Sequence, residues 1–165
     1  MKFDNILNRI LNEKGDFYIM LAIGADHGGV NLKETIKNYL NERGVEFKDF
    51  GTFGTTSVDY PDIAKEVAES IVKGECEKGI LICGTGIGVS IAANKVKGIR
   101  AAHVTDTYSA RMAKEHNNAQ IICLGERITG CDLAVEIVKA YLDAEHLGGR
   151  HATRVEKIMN LESAN

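Results

Sequence analysis

The chain has 165 residues, 44% of them hydrophobic, with 20 Lys+Arg against 23 Asp+Glu and a formal charge of −3. This is about one domain's length with apolar material for a sizeable core, which excludes a disordered chain. The charge balance excludes a strongly basic nucleic-acid binder that rests on many phosphate contacts, and seventeen glycines beside a single proline exclude a Pro-rich or collagen-like chain.

Residues 1–19 read as an N-terminal extension in which Ile6, Leu7, Ile10 and Leu11 have the spacing of a short amphipathic helix. The extension is dispensable if Met20 is the start. Residues 20–165 read as one domain. Ile19–Gly24 is a short apolar run, a first strand, and Asn31–Arg43 is a helix with Leu32, Ile36 and Leu40 on one face and Gly44 as its stop. Val45–Phe50 is a second strand. Pro61 suits the first turn of a second helix, where its missing N–H is not needed; Ile63, Val67 and Ile71 mark its apolar face and Gly74 ends it. Gly79–Cys83 is a continuous apolar run, as a strand covered on both faces should be. A Gly-rich turn, Gly84–Gly88, leads into a helix over Val89–Lys95. Ile99–Val104 is a fourth strand, and Thr107–His116 a helix capped by Thr105 or Asp106. Ala119–Leu124 is a fifth strand. Asp132–Leu147 is a long helix with Leu133, Ile137 and Tyr141 on one side, and a last helix runs from about Ala152 to Leu161.

Strands alternating with helices imply an α/β fold: a three-layer α/β/α, Rossmann-like domain on a five-stranded parallel sheet. Right-handed crossovers then align all strand C-termini along one edge, where ligands bind in such folds. The longest uncharged run, between Lys78 and Lys95, is too short and too glycine-interrupted to cross a bilayer, so no membrane partner is expected. The start of the chain does not resemble a signal peptide. Cys76, Cys83, Cys123 and Cys131 form no C-x-x-C pair, which points to reduced thiols in the cytoplasm.

Polar residues gather at three places. Asp26-His27-Gly28-Gly29 follows the first strand, Cys83-Gly84-Thr85-Gly86-Ile87-Gly88 follows the third, and His116-Asn117-Asn118 closes the fourth helix. The first two fall on one edge of the sheet. A helix C-terminus points to the opposite edge, so His116 reaches the site only from another subunit or by an unusual path. Cys83, between a buried strand and a turn of free N–H groups, is placed to become a thiolate nucleophile or base; the alternative is an inert buried cysteine. The turn can hold an anion, yet it is neither the dinucleotide fingerprint nor a P-loop. The first basic residues after Cys83 are Lys95 and Arg100, too far for the arginine clamp of a cysteine phosphatase. Arg150 and Arg154 share one helix face and suit a phosphate dianion; the alternative is a solvated surface. His103, His146 and His151 are weaker candidates, and no cluster has metal-ligand spacing.

Gly24-Ala25-Asp26-His27-Gly28-Gly29, Val58-Asp59-Tyr60-Pro61, the run Cys83 to Lys95 (CGTGIGVSIAANK), Glu115-His116-Asn117 and Gly148-Gly149-Arg150-His151-x-x-Arg154 occur in this order. In these motifs the chain resembles the ribose-5-phosphate isomerase B family over about residues 20–160. Gly98-Ile99-Arg100-Ala101 and Leu124-Gly125-x-Arg127 add to the likeness. The resemblance implies metal- and cofactor-independent interconversion of D-ribose 5-phosphate and D-ribulose 5-phosphate through an enediolate, a step of the pentose phosphate pathway. It implies Cys83 as the base. Thr85 and the N–H groups of Gly84, Gly86, Ile87 and Gly88 then steady the oxyanion. It makes His116 the ring-opening residue with Asn117 beside it, Asp26 and His27 sugar and phosphate contacts, and Arg127, Arg150 and Arg154 the phosphate-binding arginines. The implied partner is a phosphorylated sugar, and the implied assembly a homodimer with shared sites or a tetramer of such dimers. The rival substrates are six-carbon phosphosugars, allose 6-phosphate or galactose 6-phosphate. The rival class is a phosphosugar-binding module without catalysis, which needs neither a thiolate nor a ring opener.

Overall fold

The computed structural model describes residues 20–163; the helix expected around Ile6–Leu11 and the extension 1–19 lie outside the described residues. Five parallel strands, β1 (Leu21–Ala25), β2 (Phe47–Asp49), β3 (Lys78–Cys83), β4 (Ala101–His103) and β5 (Ile121–Gly125), form one sheet in the order β2-β1-β3-β5-β4. The helices are α1 (Val30–Glu42), α2 (Tyr60–Val72), α3 (Ile87–Ala93), α4 (Thr107–Glu115), α5 (Cys131–Leu142) and α6 (Gly149–Asn160), and a single 3-10 turn, Leu161–Ser163, follows. The expected three-layer α/β/α architecture is the one observed.

Period-two alternation divides the strand side chains between two cores. Leu21, Ile23, Ile80, Ile82, Ile122 and Leu124 face α1, α4 and α5, whose buried stripes include Leu32, Ile36, Leu40, Ala110, Ile137 and Tyr141. Ala22, Leu81, Cys83, Ile121 and Cys123 face α2 and α3 through Ile63, Val67, Val89 and Ala93. β1, β3 and β5 are buried along their whole length, which explains the apolar runs Leu21–Ala25, Gly79–Cys83 and Ile121–Gly125. After β2 the chain crosses to the other side of β1, so strand order reverses between β1 and β3. In an open α/β sheet the crevice at such a reversal is the ligand site.

Three expectations need correction. α5 ends at Leu142, five residues before Leu147, because the chain beyond it bonds to α4 instead: the Leu147 N–H donates to Glu115 O at 3.0 Å and His146 Nδ1 lies 2.9 Å from the same oxygen. Its buried face is Ala134, Ile137, Val138 and Tyr141, while Leu133 is exposed. α3 begins at Ile87, so Ile87 and Gly88 belong to the helix and the turn proper is Gly84–Gly86.

Charged side chains are also buried, Lys33 most completely. Lys33 of α1 is fully buried and donates to Asp49 Oδ1 at 2.7 Å and Thr52 O at 2.8 Å; Asp49 Oδ1 also accepts from the Gly51 N–H at 2.9 Å. Asp49 Oδ2 has no well-aligned hydrogen bond and is met by the Lys37 ammonium at 2.9 Å. Burial raises the Asp49 carboxyl, but the two ammonium groups and the Gly51 N–H outweigh it and hold the group below the ordinary carboxylate value. A carboxyl depressed in the folded state stabilises the fold above its ordinary value, near 3.8, and that contribution is lost as pH falls from there through the lower folded value. Asp49→Asn is therefore expected to lower Tm at pH 7, with the gap to the unsubstituted protein narrowing below about pH 4. Thermal melts followed by circular dichroism across pH 3–8 check this, and a pH-independent gap contradicts it.

Candidate active site

At the switch point, the ends of β1, β3 and β5 bring together the first two polar clusters. Asp26 follows β1 directly; it is buried, its N–H donates to Ile82 O of β3 at 3.2 Å, and its Oδ1 accepts from the Gly28 N–H at 2.9 Å. His27 points toward the chain leading into α2, where its Nδ1 accepts from the Val58 N–H at 3.3 Å. Cys83, the last residue of β3, is 5% exposed, and its Sγ accepts from the Gly86 N–H at 3.1 Å. A backbone donor aimed at the sulfur suits a thiol that is to carry negative charge. Burial pushes the Cys76 and Cys123 thiols up, so both match the inert reading.

The turn after Cys83 depends on missing side chains. Gly86 has φ +79°, and a Cβ there falls 2.8 Å from the Leu124 carbonyl carbon and 2.7 Å from His103 Cδ2. A Cβ at Gly28 falls 3.3 Å from the Gly84 nitrogen, so the turns after β1 and β3 touch backbone to backbone. Thr85 is exposed; its Oγ1 accepts from the Ile87 N–H at 3.4 Å, which leaves its O–H free to donate outward. Arg127 follows β5, and its guanidinium packs on Gly84, within 3.2–3.3 Å of where a Cβ would stand. Asp26, His27, Cys83, Gly84, Thr85, Gly86, Ile87, Gly88 and Arg127 thus share one edge of the sheet.

His116, Asn117, Arg150 and Arg154 do not. His116 caps the C-terminus of α4, and Asn117 O accepts from Arg100 Nε at 2.9 Å, immediately before β4. That is the edge where strands begin. There the His116 ring stacks on His151, centroids 4.1 Å apart and planes 7° from parallel. Burial first, then the neighbouring His116, Arg150, Arg154 and His146, hold the His151 imidazole below its ordinary value. Arg150 and Arg154 are exposed on α6, a helix whose one buried residue is His151 and which leaves Ile158 exposed. Beside α6 an open groove of about 520 Å³ follows β4, walled by Tyr108, Met112 and Ile158.

His103, a weaker candidate in the sequence, and Tyr60, a motif residue with no role attached to it, also stand at the Cys83 edge. The His103 ring reaches Gly86, and its place as the last residue of β4 was the available signal. The Tyr60 ring lies over Gly88, at 2.8 Å from where a Cβ would be. Among the described residues no helix is long and apolar enough to cross a membrane.

Comparison with known proteins identifies the family and the fold. A family profile described as Ribose/Galactose Isomerase matches residues 21–158. Ribose-5-phosphate isomerase B of Escherichia coli is 48% identical over 142 residues, which cover 86% of this chain and 95% of the relative. A D-erythrulose-4-phosphate isomerase of Pectobacterium atrosepticum is 50% identical over 142 residues, covering 85% and 93%. The solved structure of Clostridium thermocellum ribose-5-phosphate isomerase B superimposes with a TM-score of 0.87 at 58% identity, covering 88% of this chain and 99% of that one. The chain belongs to the ribose/galactose isomerase family.

Proposed function

We propose that this protein interconverts D-ribose 5-phosphate and D-ribulose 5-phosphate, in sites each shared by two copies of the chain. The carrying observation is the buried Cys83 thiol at the β1/β3 switch point, met by the Gly86 N–H of the turn that follows it and lying at the same sheet edge as Asp26 and His27. His116, with Asn117 beside it, comes from the neighbouring chain and carries the proton of the anomeric O1 hydroxyl to the ring oxygen as the C1–O4 bond breaks and C1=O1 forms, opening the furanose. Cys83, as thiolate, takes the C2 proton of the open aldose, and the electron pair moves onto O1 to give the enediolate. The Thr85 hydroxyl and the turn's N–H groups stabilise that oxyanion, an effect worth a few kcal/mol in comparable sites (about 2.7–4). The proton returns at C1 while the O2 proton is transferred to O1, and the ketose results. Asp26 and His27 orient the sugar. Arg127, with Arg150 and Arg154 of the neighbouring chain, holds the phosphate through charge-assisted bonds.

A dimer is supported by the separation of the two clusters within one chain, by the exposed apolar side of α6 and by the groove along β4. The thiol and ring opener together favour catalysis over mere sugar-phosphate binding. The relative named for D-erythrulose 4-phosphate adds a four-carbon reading beside the six-carbon ones. A side-by-side assay on ribose 5-phosphate, erythrulose 4-phosphate, allose 6-phosphate and galactose 6-phosphate, in excess chelator, tests the proposal. Ribose 5-phosphate is expected to lead in kcat/KM by at least about tenfold. A higher value on another sugar overturns the substrate, and complete loss with chelator overturns the metal-free reaction.

A further inference from the structure

Glu126 stands between Gly125 and Arg127, and no chemistry above uses its side chain. Its backbone N–H donates to Cys83 O at 3.0 Å, and the next N–H, of Arg127, donates to Gly84 O at 3.1 Å. These two bonds tie the end of β3 to the segment leaving β5. The carboxylate reaches in the other direction. Oε2 accepts from the Leu32 N–H at 2.9 Å, and Oε1 accepts from Asn31 Nδ2 at 2.9 Å. Leu32 lies in the first turn of α1, whose N-cap is Gly29, a residue with no side chain to offer. The first N–H groups of a helix have no partner within it, and the helix dipole favours a negative charge there. Glu126 thus supplies from 94 residues away the cap that the local sequence lacks.

The segment so capped is the site's own. Asp26, His27, Gly28 and Gly29 lie between β1 and α1, and they meet the Cys83 turn where Gly28 touches Gly84 and Gly29 touches Ile82. The Asp26 N–H bond to Ile82 O ties the start of the first turn to β3, but beyond it the two turns meet through glycine contacts, which limit their approach and supply no attraction. We propose that Glu126 is a positioning residue that clamps the Asp26–Gly29 turn to the Cys83–Gly84 turn, setting the distance between the sugar-orienting groups and the thiol. The inference rests on the function proposed above for these groups.

A clamp between orienting groups and base acts on the chemical step, whereas two of the three phosphate arginines, Arg150 and Arg154, lie outside the clamped segments. Glu126→Ala is therefore expected to lower kcat at least tenfold for both ribose 5-phosphate and ribulose 5-phosphate while KM changes less than threefold, and Glu126→Gln, which keeps an acceptor for the Leu32 N–H, to restore most of kcat. Amide hydrogen exchange of segments 26–33 and 83–86 is measured on the same proteins. It is expected to quicken at least tenfold in Glu126→Ala and to stay near the unsubstituted rate in Glu126→Gln. Unchanged exchange in Glu126→Ala overturns the clamp whether or not the protein isomerises ribose 5-phosphate. Faster exchange with kcat unchanged in an active enzyme overturns its role in positioning. An inactive unsubstituted protein with faster exchange in Glu126→Ala leaves the clamp standing and removes the isomerase reading instead.

Discussion

Replacing Cys83 with alanine is expected to lower kcat at least about a thousandfold in both directions, equivalent to about 4 kcal/mol of activation free energy. The argument is one of position. The sulfur stands at the last residue of β3, buried to 5% exposure, with a backbone N–H directed at it and the β1 turn alongside. The thiol on the neighbouring strand cannot take its part: Cys123 of β5, in register with Leu81, is fully buried and its thiol is pushed up by burial. The structural cost is small, because Cys to Ala removes one sulfur from the margin of the α2/α3 core, about 1 kcal/mol. Activity and fold therefore separate. Circular dichroism should show a Tm within a few degrees of the unsubstituted protein, and solvent deuterium should no longer enter the sugar at C1 of ribulose 5-phosphate. Cys123→Ala and Cys131→Ala serve as controls that keep activity. Deuterium entry at the unsubstituted rate in Cys83→Ala would falsify the assignment of the base.

Much of this arrangement was legible before the structure, because each legible part has a local physical cause. Gly79–Cys83 reads as a strand since both of its faces are covered, and the same burial aims its end, Cys83, at the ligand edge. Leu32, Ile36 and Leu40 recur at helical spacing and are buried as that spacing demands. The order β2-β1-β3-β5-β4 was not legible: a right-handed crossover leaves β4 free to pair outside β5, and no residue in β4 records that choice. The end of α5 was misread for a related reason. Its apolar periodicity carries on toward Leu147, and only the bonds to Glu115 O, across 32 positions of chain, turn it aside. Glu126 left no mark in pattern or motif, since its role is a carboxylate meeting a helix start far away in sequence. Arg127 was named from resemblance alone, whereas the spacing of Arg150 and Arg154 already put them on one helix face; exposure by itself makes all three ordinary surface arginines.

Mixing two inactive variants should restore activity, which follows from where the clusters lie. Within one chain Cys83 ends a strand, and Arg150 and Arg154 lie beyond the opposite edge with His116 and His151. If each site takes Cys83 from one copy and the arginines from the other, a Cys83→Ala chain still offers its arginines and its His116. An Arg150→Ala/Arg154→Ala chain still offers its thiol. The double arginine variant alone loses two charge-assisted contacts to the phosphate dianion, at roughly 1.5–3 kcal/mol each, so kcat/KM is expected to fall at least about a hundredfold. After unfolding and joint refolding of equal amounts, half of the dimers are mixed. Two-fold symmetry gives each mixed dimer one site with both defects and one with neither, so about a quarter of the unsubstituted activity on ribose 5-phosphate should return. Mass spectrometry under native conditions counts the mixed dimers independently. Mixed dimers formed in full with no activity regained mean that thiol and arginines serve the same site from a single chain, and the shared-site proposal fails.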